Sequence, residues 1–300
     1  MMVVSHRAVD ATSDADVLFG RAPQRRNIPV IQLFARRCTL FIIIALAVGI
    51  IFPGNTGKLV AAQDPGATPD SGKSWTAPDL ATIPEGPLGD SIRLGVQVFN
   101  ETPKYAGKYV GNKLSCTHCH MDGGTVPGGI PIVGVPGMFP VYRDREKEVV
   151  TFEERIEQCF MRSENGHRIP NNSPEMVGLV AYSQWLSKDQ VTGRPFPGRG
   201  VAKLPELNGD RERGGQIYTA QCAVCHGPEG AGKPPAIPAV WGPDAYSQGA
   251  GMHDIAKMAA FVQHNMPLNS PRSLTPQQAY DVAAYIHFMP HEAFDIKQHQ

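Results

Sequence analysis

Two copies of C-x-x-C-H, Cys116-Thr117-His118-Cys119-His120 and Cys222-Ala223-Val224-Cys225-His226, constrain this chain more than any other feature. Two thiols one helical turn apart can each add to a vinyl group of one haem, and the histidine that follows then faces the iron. Each copy therefore reads as a c-type haem attachment site. The same spacing suits zinc, but a zinc site wants a second ligand pair at short spacing, and neither copy has one. Cys116, Cys119, Cys222 and Cys225 are expected to hold two covalent haem c groups, with His120 and His226 as iron ligands.

With 300 residues, 42% of them hydrophobic, the chain has room for about two domains, one per motif. Each is small, so an apolar cofactor would supply much of its core. The 28 basic residues balance the 28 acidic ones. No overall field steers a nucleic acid or an anion, and recognition of charge has to be local.

Residues 1–62 are expected to be an export signal or a signal anchor. Six arginines precede an apolar run from Leu40 to Phe52, and Val60-Ala61-Ala62 offers a cleavage site. Thirteen residues fall short of the ~20 that span a bilayer comfortably. The expected location is the periplasm, either free or tethered to the inner membrane by this segment. Residues 63–87, rich in Pro, Gly, Ser and Thr, read as a linker.

The predicted fold class is all-α: two tandem cytochrome c-type domains with long Gly/Pro-rich loops, at 88–187 and 210–300, joined by a linker at 188–209. Leu88, Ile92, Val96 and Phe99 mark one helix face leading to the first motif. Residues 121–140 hold too many Gly and Pro for a helix or central strand, and a loop that long is expected to wrap the haem edge. Thr151-x-x-Glu154 is a capping box for a helix to about Arg162, and Ser173-Pro174 starts another with Met176, Leu179, Val180 and Leu186 buried and Tyr182 and Trp185 flanking. The second half repeats the plan, with a helix from about Asp210, a Gly/Pro loop after the motif, a helix capped by Asp254 and one opened by Thr275-Pro276.

The repeat locates the remaining iron ligands. Met266 lies 40 residues after His226, just past a helix, as a thioether ligand would; His264 competes with it. The same count in the first half, 39 residues after His120, lands on Cys159, the one thiol left after haem attachment and export. A thiolate binds ferric iron, although Met161 stands two residues on as an ordinary alternative. Arg155 is one helical turn before Cys159, and Arg143, Arg145 and Arg162 flank the same helix.

At CTHCH, MFPVYRDR (138–145), RIEQCFMRSENG (155–166) and AYSQWLS (181–187) the chain resembles the catalytic domain of the dihaem thiosulfate dehydrogenases, which join two thiosulfates into tetrathionate. CAVCHG, HNMP and VAAYIHF in the second half are similar to their electron-transfer domain. The resemblance implies that Cys159 is the axial thiolate of the catalytic haem, that Arg145 and Arg155 bind substrate and that Ser163 lines the pocket. It also implies passage of electrons to an external acceptor such as a soluble cytochrome c or a high-potential iron-sulfur protein. Asn265 stands where some relatives have a lysine, so a lysine/methionine exchange is in doubt. Two other functions fit the motifs: a non-enzymatic dihaem electron carrier, and the haem subunit of a transferase that attaches thiosulfate to a carrier cysteine. Tetrathionate reduction would use the same residues.

Overall fold

The computed structural model describes residues 75–299. The export segment and the start of the 63–87 linker lie outside the described residues. The helices are α1 (Pro87–Asn100), α2 (Thr102–Tyr105), α3 (Met121–Gly124), α4 (Phe152–Arg162), α5 (Pro174–Leu186), α6 (Arg211–Ile217), α7 (Ala223–His226), α8 (Ile255–Asn265) and α9 (Pro276–His287), with an antiparallel pair, β1 (Val141–Arg143) and β2 (Glu148–Val150), before α4. None is long and apolar enough to cross a membrane among the described residues.

The helix starts follow local chemistry. Thr151 and Glu154 form the reciprocal capping box of α4, and Thr275 and Gln278 that of α9. Ser173 caps α5 and Asp254 caps α8 by accepting from the third backbone N–H beyond them. Each such cap stabilises its helix by about 1 kcal/mol.

Two apolar clusters form the core. In the first, α1 packs on α5, crossing at Gly95 and Gly178, where a β-carbon on either would collide with the other backbone. The buried stripe of α1 runs through Gly89, Ile92, Gly95, Val98 and Phe99. Leu88, expected inside, is 63% exposed, because the close contact is made through glycines that a hydrophobic pattern does not register. Tyr182 and Trp185 are buried rather than flanking. In the second cluster α9 packs against α6 and α8, with Arg213 forked onto buried Asp281 at 2.9 and 3.0 Å.

Leu114, from the first half, belongs to the second cluster, and Cys119, Met121 and Ile130 pack against it. Residues 188–209 contain no helix, yet Phe196 is buried and the segment is strapped to the loop after the first motif, Gly128 N–H donating to Gly198 O (2.7 Å) and Ile130 N–H to Gly200 O (3.0 Å). The approach to α4 is the β1–β2 hairpin.

Candidate functional site

The first attachment turn is held by its neighbours. The Ser115 N–H donates to His118 Nδ1 (2.9 Å), and the Cys116 N–H to the hydroxyl of fully buried Thr102 (3.1 Å). His120 Nδ1 sits 2.7 Å from Ile130 O, and His226 Nδ1 3.0 Å from Pro238 O. Both carbonyls lie in the Gly/Pro loops that follow the motifs. By accepting from Nδ1–H they leave Nε2 as the lone-pair nitrogen, the arrangement a neutral imidazole needs to ligate a metal.

Around the second motif lies a cavity of about 890 Å³, lined by Cys222, Cys225, His226, Met258, Phe261 and Met266 among others. The lining is overwhelmingly apolar, and two thiols, an imidazole and a thioether all border the one space. It fits a haem. Leu114, His118 and Cys119 complete the wall from the first half, where His118 Nε2 is 2.9 Å from Pro235 O. Met266 follows α8 directly and borders the cavity, whereas His264 turns away to Pro127 O (3.0 Å) and Arg272 (3.1 Å).

In the first half, Arg155 and Cys159 on α4 and its C-cap residue Ser163 follow at four-residue steps, on one stripe. Arg155 Nη1 lies 2.9 Å from Cys159 Sγ. Burial pushes the Cys159 thiol up, but Arg155 and the nearby His120 outweigh it and bring its pKa down to about 6. Met161 sits two residues on, on the far side of the helix, fully buried. Ser163 ends α4, its N–H donating to Cys159 O (2.8 Å) and its carbonyl accepting from Asn112 (2.9 Å).

The hairpin brings a cluster of charge to this stripe. Arg143 Nε pairs with Glu146 at 3.0 Å, and the Glu146 side chain is only 6% exposed. Glu146 also acts electrostatically on Arg155 and Arg162, while Arg143, Arg145 and Arg155 act on Arg162. Arg145 is exposed in the hairpin turn, Nη1 reaching Gly249 O at 3.5 Å.

Glu146 and Glu164 were not legible in the sequence. Glu164 is buried, with Oε1 3.6 Å from Cys116 Sγ and Oε2 without a partner. Burial, with the nearby Cys159 adding to it, pushes its carboxyl well above the usual carboxylate range. An unpartnered polar atom beside an attachment thiol, with His120 and Cys159 close together, fits a prosthetic group bound at Cys116 and Cys119.

Residues 103–191 match the family model described as SoxA/TsdA, cytochrome c domain, and residues 211–289 match Cytochrome c. The chain is 38% identical to a thiosulfate dehydrogenase of Thiomonas intermedia over 79% of this chain and 80% of that protein. It is 39% identical to one of Stutzerimonas stutzeri, covering 70% of each. One of Allochromatium vinosum is 38% identical, over 73% of this chain and 85% of that protein. A solved thiosulfate dehydrogenase (TsdBA) of Marichromatium purpuratum superposes with a TM-score of 0.68 at 38% identity, covering 71% of this chain and 48% of that one. The present chain thus spans about half the length of that solved chain. Two cytochrome c domains carry two covalently bound c-type haems, and the chain belongs to the thiosulfate dehydrogenase family of oxidoreductases.

Proposed function

We propose that the protein couples two thiosulfates into tetrathionate at the Cys159 site, with His120 and Cys159 ligating the first iron and His226 and Met266 the second. The observation that carries this reading is the 2.9 Å contact between Arg155 and the Cys159 sulfur within a cluster of arginines. A plain electron carrier needs neither a thiolate nor a cationic pocket. When bound, the two haems accept one electron each and release them to an external acceptor.

The protein's own residues handle sulfur and charge. Thiosulfate is a dianion, and forked guanidinium donors on Arg145 and Arg155 hold its sulfonate oxygens while offsetting repulsion between two such ions. The Cys159 thiolate bonds to the terminal sulfur of the first thiosulfate as two electrons leave, giving Cys–S–S–SO₃⁻. The terminal sulfur of the second thiosulfate then attacks the sulfur next to the sulfonate, forming tetrathionate and returning the thiolate. Every step is reversible, so tetrathionate reduction uses the same residues. The working compartment is the periplasm, with a soluble cytochrome c or high-potential iron-sulfur protein as acceptor.

Three results are expected. The electron paramagnetic resonance spectrum of the oxidised protein contains one His/thiolate and one His/Met low-spin signal; two His/Met signals would rule the reading out. Arg155→Ala lowers kcat/KM for thiosulfate by roughly 10- to 150-fold, the worth of one charge-assisted contact of about 1.5–3 kcal/mol, and a loss under twofold would remove Arg155 from the pocket. Met266→Leu keeps nearly the same volume, so the melting curve moves by less than about 1.5 kcal/mol, while the far-red charge-transfer band of methionine-ligated ferric haem disappears. Survival of that band would point to another ligand.

A further inference from the structure

The segment after α9 returns to the first half. His299 is buried, its Nδ1 2.7 Å from Gly166 O, and its carbonyl accepts from the Arg168 N–H at 3.2 Å. Phe294 stacks on His299 with ring centroids 5.0 Å apart at 18°. On Phe294 rests the guanidinium of Arg162, 4.7 Å from its centroid. Phe294 and His299 lie beyond residue 289, where the cytochrome c match ends.

Arg162 is held from several sides. Its Nε donates to Gln158 Oε1 (2.7 Å), and its carbonyl accepts from the Ser247 hydroxyl (2.6 Å), which in turn accepts from the Gly249 N–H (3.2 Å). Gly249 lies so close to Phe294 that a β-carbon there would strike the ring. The Gly249 carbonyl is also what Arg145 Nη1 reaches. Among the described residues neither Nη group of Arg162 has a hydrogen-bond partner, and no carboxylate forms an ion pair with Arg162. A guanidinium stacked on an aromatic face keeps its edge N–H groups available for an oxyanion.

The charges explain why such a group would be held there. Arg143, Arg145 and Arg155 all stand close enough to act on Arg162, and Glu146, the carboxylate of the same hairpin, is already paired with Arg143. Arg155 already spends its Nη1 on the Cys159 sulfur, which leaves only part of its fork for substrate. A pocket that joins two dianions has more sulfonate oxygens than the forks of Arg145 and Arg155 can satisfy between them.

We infer that Arg162 is a further anion-binding residue of this pocket, and that Phe294 is the positioning residue that presents it. The second half of the chain thereby completes the substrate pocket of the first. The ligand class is a sulfur oxyanion with two separated sulfonate ends. This inference rests on the thiosulfate reading.

The test uses the full dihaem protein. Tetrathionate binding is measured by calorimetry on the fully oxidised form, which has no electrons to reduce it, alongside steady-state thiosulfate oxidation. Arg162→Gln is expected to raise both the tetrathionate Kd and the thiosulfate KM about tenfold, with the haem resonance spectrum and kcat little changed. Arg162→Lys, which keeps charge but loses the fork, falls between. Phe294→Leu raises both constants about threefold, and Phe294→Tyr, which keeps the ring face, restores them. Arg162→Gln within twofold of wild type in both constants would overturn the inference, and equal behaviour of Phe294→Leu and Phe294→Tyr would overturn the role of Phe294. If Arg155→Ala lost binding while Arg162→Gln did not, only this inference would fall. A wild type that neither oxidised thiosulfate nor bound tetrathionate would sink the thiosulfate reading and this inference with it.

Discussion

Cys159→Gly is expected to abolish thiosulfate-dependent reduction of an added acceptor, by on the order of 10³-fold or more, while leaving two covalent haems per chain. The size follows from the chemistry: without the thiolate no sulfur on the protein accepts the first thiosulfate, and the two dianions would have to meet directly. The fold tolerates the change, because glycine in a helix interior costs about 1 kcal/mol relative to alanine and Cys159 is only half-buried. The proposed attachment thiols, Cys116, Cys119, Cys222 and Cys225, are untouched. The measurement is tetrathionate formed per minute beside a haem count by pyridine haemochrome. A variant that still formed tetrathionate near the wild-type rate would refute the mechanism and favour a plain electron carrier.

The combined replacement Cys222→Ser, Cys225→Ser and His226→Ala is expected to unfold the second half. It removes both proposed attachment points and the proposed iron ligand, so the cavity of about 890 Å³ is left without contents. Tyr218, Met258, Phe261, Val262, Val282 and Ile286 would then face water instead of an apolar partner, and at roughly 1.5–3 kcal/mol per apolar side chain that loss rivals the ~5–15 kcal/mol by which a whole domain is stable. The cavity is partly open, its rim carrying Val224 (78% exposed) and Leu268 (67% exposed), so water already reaches the rim, which lowers that cost without reversing the outcome. Circular dichroism should lose the signal of α6, α8 and α9, and proteases should cut within them. A variant that kept wild-type helicity and a cooperative melt would show that the helices close without haem.

What could be read from the sequence was what local chemistry determines. The attachment motifs are short covalent patterns. The caps at Thr151, Ser173, Asp254 and Thr275 each depend on residues within three positions, and all four formed. Cys159 stands out as a candidate because an internal repeat supplies a ruler, and Arg155 because a helix puts it one turn away. The family resemblance, rather than any pattern, pointed to Ser163 and Arg145. The missed features are contacts between distant residues. Leu88 stayed outside because α1 and α5 approach through Gly95 and Gly178. Glu146 meets the arginines through a hairpin of three-residue strands, too short to alternate visibly. Glu164 becomes a buried acid only when Cys116, 48 residues away, folds against it. Phe294 reaches Arg162 across 132 positions, and no periodicity carries that information.

The shared wall of the second cavity bears on how such a protein could arise or be rebuilt. The internal repeat invites a graft: cut within 188–209 and attach a different single-haem cytochrome. The foreign partner would come with its pocket already closed, or else shaped for some other neighbour than Leu114, His118 and Cys119. His118 would lose its acceptor at Pro235, and Lys113 its counter-ion at Asp244, 2.8 Å away. Asn112, which ties Ala245 O to Ser163 O at 2.9 Å each, would let go of the end of the helix that bears Cys159. Chimeras should therefore fail at the seam before they fail at either iron, and lineages should inherit the two halves together, with matched substitutions across the join.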